Sequence, residues 1–157
     1  MNVLFVCTGN TCRSPMAEAL LKAKMPELQV KSAGIFALEN DSANRNAIEV
    51  LKERDIHLQH SAQKVTNKLL YWADVVLTMT EAHKELLVDQ FPLYQEKVYT
   101  LIEYVKKNEN SADNNRENFT YTMDINDPFG GDLAIYRTTL EEIEKYIDMF
   151  ISKFDVK

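Results

Sequence analysis

The run Cys7-Thr8-Gly9-Asn10-Thr11-Cys12-Arg13-Ser14 holds the side chains best suited to chemistry. A thiol opens it and a guanidinium follows six residues later. That pair suits attack on a phosphoryl group: sulfur is the nucleophile, and the planar Arg13 fork grips two phosphoryl oxygens and tightens on a trigonal transition state. The run lies between an apolar stretch and a Ser-Pro helix start, so its amides can converge at a helix N-terminus, where free N–H groups and the positive dipole end favour an anion. The amides that would cradle a phosphate through Thr8, Gly9, Asn10, Thr11 and Cys12 would equally hold a Cys7 thiolate, without a partner histidine. Gly9 is expected to supply positive φ or close approach where the loop curls. The Ser14 hydroxyl is placed to donate to the sulfur. A cysteine at a strand end is more often a small core residue, and a loop arginine is more often solvated. The setting of this pair, strand before and capped helix after, is what favours the anion site.

A leaving group needs a proton. Asp127, in Asp127-Pro128-Phe129-Gly130-Gly131, is the candidate: Pro128 stiffens the turn and the glycines let the backbone fold close. Taken alone, this segment would be an ordinary Asp-Pro turn. The histidines compete poorly. His57 and His60 are solitary in a polar stretch, and His83 falls in a helical pattern.

The elements that must position these groups follow from periodicity. Residues 2–6 are a continuous apolar run and predict a strand buried on both faces. Ser14 as cap and Pro15 as first helical residue predict a helix with Met16, Ala17, Leu20 and Leu21 inward. Strands are expected at 28–33, 74–79 and 97–100, with a helix from a cap at Asp41 or Ser42 to about Arg54, and another through His83, Leu86 and Leu87. Strands alternating with helices imply a parallel sheet covered on both faces. Leu133, Tyr136, Leu140, Ile143, Ile147, Phe150 and Phe154 mark a last helix, better suited to packing on the sheet than to a coiled-coil seam. Residues 106–123, rich in asparagine, read as a long exposed loop.

The chain has 157 residues, 45% hydrophobic and 27% charged, with a formal net charge of −6. This fits a single domain, residues 1–157, with a real core. The acidic balance disfavours nucleic acid as main partner. Its apolar opening is too short for a signal peptide or a membrane span, so a cytoplasmic location without a membrane partner is expected. The two cysteines make neither a disulfide scaffold nor a four-ligand zinc site.

Val6-Cys7-Thr8-Gly9-Asn10-Thr11-Cys12-Arg13-Ser14-Pro15-Met16-Ala17-Glu18-Ala19 resembles the opening of the low-molecular-weight protein tyrosine phosphatases. Ser32-Ala33-Gly34, Ala73-Asp74 with Met79, and Asp127-Pro128 fit the same pattern, so the resemblance covers essentially the whole chain. It implies a flavodoxin-like three-layer α/β/α sandwich on a four-stranded parallel sheet of order 2-1-3-4. It implies in-line attack by Cys7, a phosphocysteine, and Asp127 as acid and then base, with no cofactor or metal. Tyrosine-directed members usually carry isoleucine where this chain has Thr11. Threonine there, with Asp-Pro-Phe-Gly-Gly later, looks like the bacterial protein-arginine phosphatases. A planar cationic guanidinium could pair with Asp127 and stack on Phe129. Phosphoarginine proteins are thus the expected substrates and phosphotyrosine proteins the alternative, handled by a monomer. Arsenate reductases of this fold need further cysteines, and none follows Cys12. A non-catalytic phosphate-binding module would need no thiolate, arginine and acid together. The stretch from Tyr104-Val105 to Asp127 is longer than usual in that branch. Cys12 shares the loop with Cys7, and two readings stand beside each other: a buried loop thiol, or the partner of an oxidised Cys7 in a reversible Cys7–Cys12 disulfide. Mass spectrometry after mild peroxide checks this: direct passage of Cys7 to sulfinic acid, with no linked product, would end the idea.

Overall fold

The computed structural model describes residues 1–106 and 123–155. Four strands form one parallel sheet: β1 (Asn2–Cys7), β2 (Gln29–Gly34), β3 (Val75–Thr78) and β4 (Val98–Thr100), in the order β2-β1-β3-β4. β1 pairs in register with β2 from Asn2↔Gln29 to Cys7↔Gly34, and with β3 from Val3↔Val75 to Val6↔Thr78. The apolar run at 3–6 is fully buried because both sheet faces are covered. Val3, Phe5 and Cys7 face a core built with α1 (Arg13–Lys24) and α6 (Leu133–Asp155). Leu4 and Val6 face the other core, with Leu69, Leu70, Val76 and Leu87 from α3 (Asn67–Trp72), β3 and α4 (Glu81–Gln90). That alternation is the period of two expected of a strand. α2 (Arg45–Lys52) lies on the α1 and α6 side, and α5 (Leu101–Lys106) follows β4 directly.

The α/β/α architecture and strand order agree with the expectation, with shifts at the element ends. α1 begins at Arg13, its N-cap position is Cys12, and no side chain caps it. Ser14 is therefore not the cap and Pro15 is not the first helical residue. The Ser14 hydroxyl is committed elsewhere, against the Cys7 sulfur. α2 is capped by Asn44, whose side chain accepts from the Asn46 N–H at 2.8 Å, rather than by Asp41 or Ser42. Ser42 instead forms an antiparallel bridge with Ser61. The helix ends at Lys52, short of Arg54, and Asp55 turns the chain away with φ 61°. Lys97 closes a 3-10 helix, Pro92–Lys97, instead of opening β4. Two short helices, α3 and α5, have no counterpart in the periodicity reading. Of the stretch read as a long loop, Lys106 ends α5, and residues 107–122 lie outside the described residues.

α6 carries the expected stripe. Tyr136, Leu140, Ile143, Ile147 and Phe150 are buried in the core, and Leu133 and Phe154 pack against its edge. The stripe is thus spent on covering the sheet. β1 has β2 on one side and β3 on the other, so the connections leave it in opposite directions. Such a switch point opens a crevice at the C-terminal ends of the strands, and the Thr8–Cys12 loop emerges there.

Candidate active site

Residues 8–12 join β1 to α1, and nearly all of this loop's carbonyls are turned to neighbouring chain. The Cys7 oxygen accepts from Ile35 N–H at 3.0 Å, Thr8 from Phe36 at 2.9 Å, Thr11 from Asn44 at 2.8 Å and Cys12 from Met16 at 3.1 Å. The Asn10 oxygen accepts from His60 Nε2 at 2.7 Å. With the carbonyls engaged outward, the loop amides remain for an anion on the inside, the arrangement of a backbone nest.

The curl is made by Asn10, not Gly9. Asn10 has φ 59°, the left-handed region that asparagine tolerates better than most residues. Gly9 is not among the positive-φ residues, and a Cβ there would meet only Thr11 Oγ1, at 3.7 Å. Asn10 is fully buried and pinned by its side chain. Its amide donates to Ser14 Oγ and to Ser32 Oγ, each at 2.9 Å, and its oxygen accepts from Gln63 N–H at 3.0 Å. Ser32 in turn donates to Glu18 Oε1 at 2.6 Å. The glycine this loop does require is Gly34, on β2. A Cβ there would lie 2.6 Å from the Thr8 oxygen and 2.9 Å from the Asn10 nitrogen.

Cys7 is 3% exposed, with Sγ 2.9 Å from Ser14 Oγ. Because Ser14 Oγ already accepts from Asn10, its own hydrogen is free to point at the sulfur. Arg13 is buried; Nη1 donates to the Ile125 oxygen at 2.8 Å, and Nη2 lies 3.6 Å from Asp127 Oδ2. Ile125 is itself fastened to the sheet end, its N–H donating to the Met79 oxygen at 2.8 Å. Asp127 Oδ1 accepts from Phe129 N–H at 3.0 Å, an Asx turn that orients the carboxylate. The turn closes with Gly131 N–H on the Pro128 oxygen at 2.8 Å, with Gly130 at φ 86°.

These groups surround one cleft of about 230 Å³, lined by Cys7, Thr8, Gly9, Thr11, Cys12, Arg13, Asp127 and Phe129. Asn10 and Ser14 lie beneath it, fully buried. The Asp127 side chain is half exposed and Phe129 stands largely free at the rim. Cys12 Sγ lies 3.3 Å from the Tyr136 hydroxyl, and burial pushes both groups up from their usual ranges. Cys12 is therefore a neutral thiol under the loop, distinct in character from Cys7.

Sequence reasoning passed over two histidines. His60 holds the Asn10 carbonyl. His83 is buried, with Nε2 2.8 Å from Thr8 Oγ1. Their partners are 50 and 75 residues away along the chain. No local pattern carries such a signal. His57 lines a separate hollow beside α1 with Glu18 and Lys22. Among the described residues no cluster of three His, Cys, Asp or Glu side chains could hold a metal ion. None of their helices is long and apolar enough to cross a membrane.

The cleft brings Cys7, Arg13 and Asp127 together, the groups that a cysteine-dependent phosphatase uses. The chain belongs to the low molecular weight phosphotyrosine protein phosphatase family, whose pattern it matches over residues 2–157. It is 41% identical over 156 residues to a protein-arginine-phosphatase of Geobacillus stearothermophilus, covering 99% of this chain and 97% of that one. It is 39% identical over 147 residues to the low molecular weight protein-tyrosine-phosphatase PtpB of Staphylococcus aureus, covering 94% of each. The fold matches the YwlE arginine phosphatase C7S mutant with phosphorylated active site serine, with TM-score 0.87 and 39% identity. That match covers 100% of this chain and 97% of the other.

Proposed function

We propose that this chain is a protein phosphatase that removes phosphate from arginine side chains of phosphorylated proteins. The observation that carries the chemistry is the shared cleft, with Cys7 Sγ 2.9 Å from Ser14 Oγ, Arg13 beside it and Asp127 facing in. In the first step the Cys7 thiolate attacks phosphorus in line. The P–N bond breaks, its electron pair goes to the departing guanidine nitrogen, and Asp127 protonates that nitrogen. Arg13 and the loop amides stabilise the equatorial oxygens. In the second step Asp127, now a carboxylate, takes a proton from water as its oxygen attacks phosphorus. The P–S bond breaks, returning the thiolate and inorganic phosphate. Every group needed comes from one chain, so residues 1–157 are proposed to act as one catalytic unit and as a monomer, on cytoplasmic proteins.

Phosphoarginine is favoured over phosphotyrosine by the cleft wall. Thr11 shares it with Asp127 and Phe129; the half-exposed Asp127 carboxyl can hydrogen-bond a guanidinium nitrogen, and the free Phe129 face suits stacking on its plane. Relatives named for arginine and for tyrosine both lie near this chain, so the substrate decides between them. Peptides carrying each phosphoresidue, compared by kcat/KM with wild type and Thr11→Ile, test the assignment. Wild type is expected to prefer phosphoarginine, and the added bulk of isoleucine to move the ratio toward phosphotyrosine by about tenfold or more. A wild-type preference for phosphotyrosine, or a ratio unmoved by Thr11→Ile, refutes it.

A further inference from the structure

The mechanism above makes no use of His83, yet this side chain sits against the phosphate loop. It lies in the first turn of α4, where its N–H donates to Thr80 Oγ1 at 3.1 Å, and it is 6% exposed. Nε2 lies 2.8 Å from Thr8 Oγ1, whereas the buried Nδ1 has no hydrogen-bond partner among the described residues. The charged groups acting on the ring are Arg13, Asp124 and Asp127. Burial first, and then the Arg13 cation, hold the imidazole down to about 4, so near neutral pH it carries a single ring proton. Placing that proton on Nδ1 would bury a donor with no acceptor. Placing it on Nε2 leaves only a lone pair unpartnered, within the field of the Arg13 cation. The second is the less costly state. Nε2 is then the donor and Thr8 Oγ1 the acceptor. A hydroxyl that already accepts turns its own hydrogen elsewhere, and Thr8 lines the cleft.

We propose that His83 is a positioning residue: by donating to Thr8 Oγ1 it commits the Thr8 hydroxyl to donate into the cleft, toward a phosphoryl oxygen of the substrate or of the phosphocysteine. The proposal rests on the phosphoryl chemistry of the preceding section but not on the choice of arginine over tyrosine. Thr8 then adds a side-chain donor to the amide cradle, and the tautomer of a residue outside the cleft sets its direction.

A double-mutant cycle tests this, with kcat/KM measured on a phosphoarginine peptide and on para-nitrophenyl phosphate. Thr8→Val and His83→Leu are each expected to lose about tenfold, and the double variant no more than either alone. His83→Gln, whose side-chain amide can donate to the same oxygen, is expected to recover most of the loss. In wild type, nitrogen-15 spectra of the His83 ring should show the neutral Nε2–H tautomer, unchanged from about pH 8 to pH 5. Activity within twofold of wild type for Thr8→Val, losses that multiply in the double variant, or an Nδ1–H tautomer would each overturn the proposal. If His83→Leu does not fold, Thr8→Val, His83→Gln and the wild-type spectra still decide. A wild type that cleaves the aryl phosphate but not phosphoarginine sinks the substrate assignment and leaves this cycle to be scored on the aryl ester.

Discussion

Cys7→Ser is expected to lower steady-state turnover by a factor of about 10⁴ or more while leaving the cradle able to bind inorganic phosphate. The reason is the difference between sulfur and oxygen in the same place. Ser14 Oγ lies 2.9 Å from the Cys7 sulfur and already accepts from Asn10, so its hydrogen is available to the atom that stands at position 7. Sulfur is the better nucleophile toward phosphorus and, as a thiolate, the better leaving group from the phospho-enzyme; a phosphoryl group taken up by a serine oxygen would be released far more slowly. Serine is slightly smaller, so Asn10, Ser14 and Arg13 have no cause to move. Calorimetry with inorganic phosphate should find affinity within about threefold of wild type, because the proposed binding groups, the loop amides and Arg13, are unchanged. Retention of more than a tenth of wild-type turnover would remove Cys7 from the role of nucleophile. Loss of phosphate binding together with turnover would show instead that the substitution had collapsed the loop.

The second large effect is expected from a residue that touches no substrate. Gly34→Ala should lower kcat/KM by about 10² and stability by about 1–3 kcal/mol. The new methyl would stand 2.6 Å from the Thr8 oxygen and 2.9 Å from the Asn10 nitrogen, both backbone atoms. Neither can step aside cheaply. The Thr8 oxygen is held by Phe36 N–H at 2.9 Å, and Asn10 is fixed by Ser14, Ser32, Gln63 and His60. Gly34 itself pairs with Cys7 in the sheet and bridges to Lys64. Relief must therefore come from displacing the loop relative to Cys7 and Arg13. Thermal melting and kinetics on the same samples check both halves of the expectation. Gly9→Ala is the contrast for stability: its methyl would meet only Thr11 Oγ1, at ordinary contact distance, so the melt should not change. Wild-type kinetics in a folded Gly34→Ala would mean that the loop has slack the contacts do not reveal.

The parts of the site that were legible in the sequence are those encoded within a few residues of one another. The strand at 2–6, the anion loop and the helix after it are contiguous, and their types alone suggest a phosphate cradle. The Asp127 turn was visible as a motif, though its place opposite Cys7 came from resemblance rather than from spacing. Misreadings cluster where one side chain has two possible uses. Ser14 is a good helix cap by type, but a hydroxyl facing a buried sulfur cannot also cap. Gly9 is the obvious residue for a left-handed turn, yet asparagine takes it, because Asn10 gains three side-chain hydrogen bonds there that glycine would lack. α3 and α5, six residues each, are too short for a helical period to stand out against the neighbouring strands. His60 and His83 were invisible for a different reason. Their partners are set by how the chain returns to the sheet end, which only the folded topology determines.

Ile125 bears on how this architecture tolerates change. Its N–H is tied to the end of β3 and its carbonyl to Arg13. Two bonds to one residue thus moor the chain just before the Asp127 turn. The distance between Arg13 and Asp127 is set locally, because a single residue, Asn126, separates Ile125 from Asp127. A change that loosened either bond of Ile125 would therefore shift the Asp127 turn relative to Arg13 even though Ile125 itself does not line the cleft.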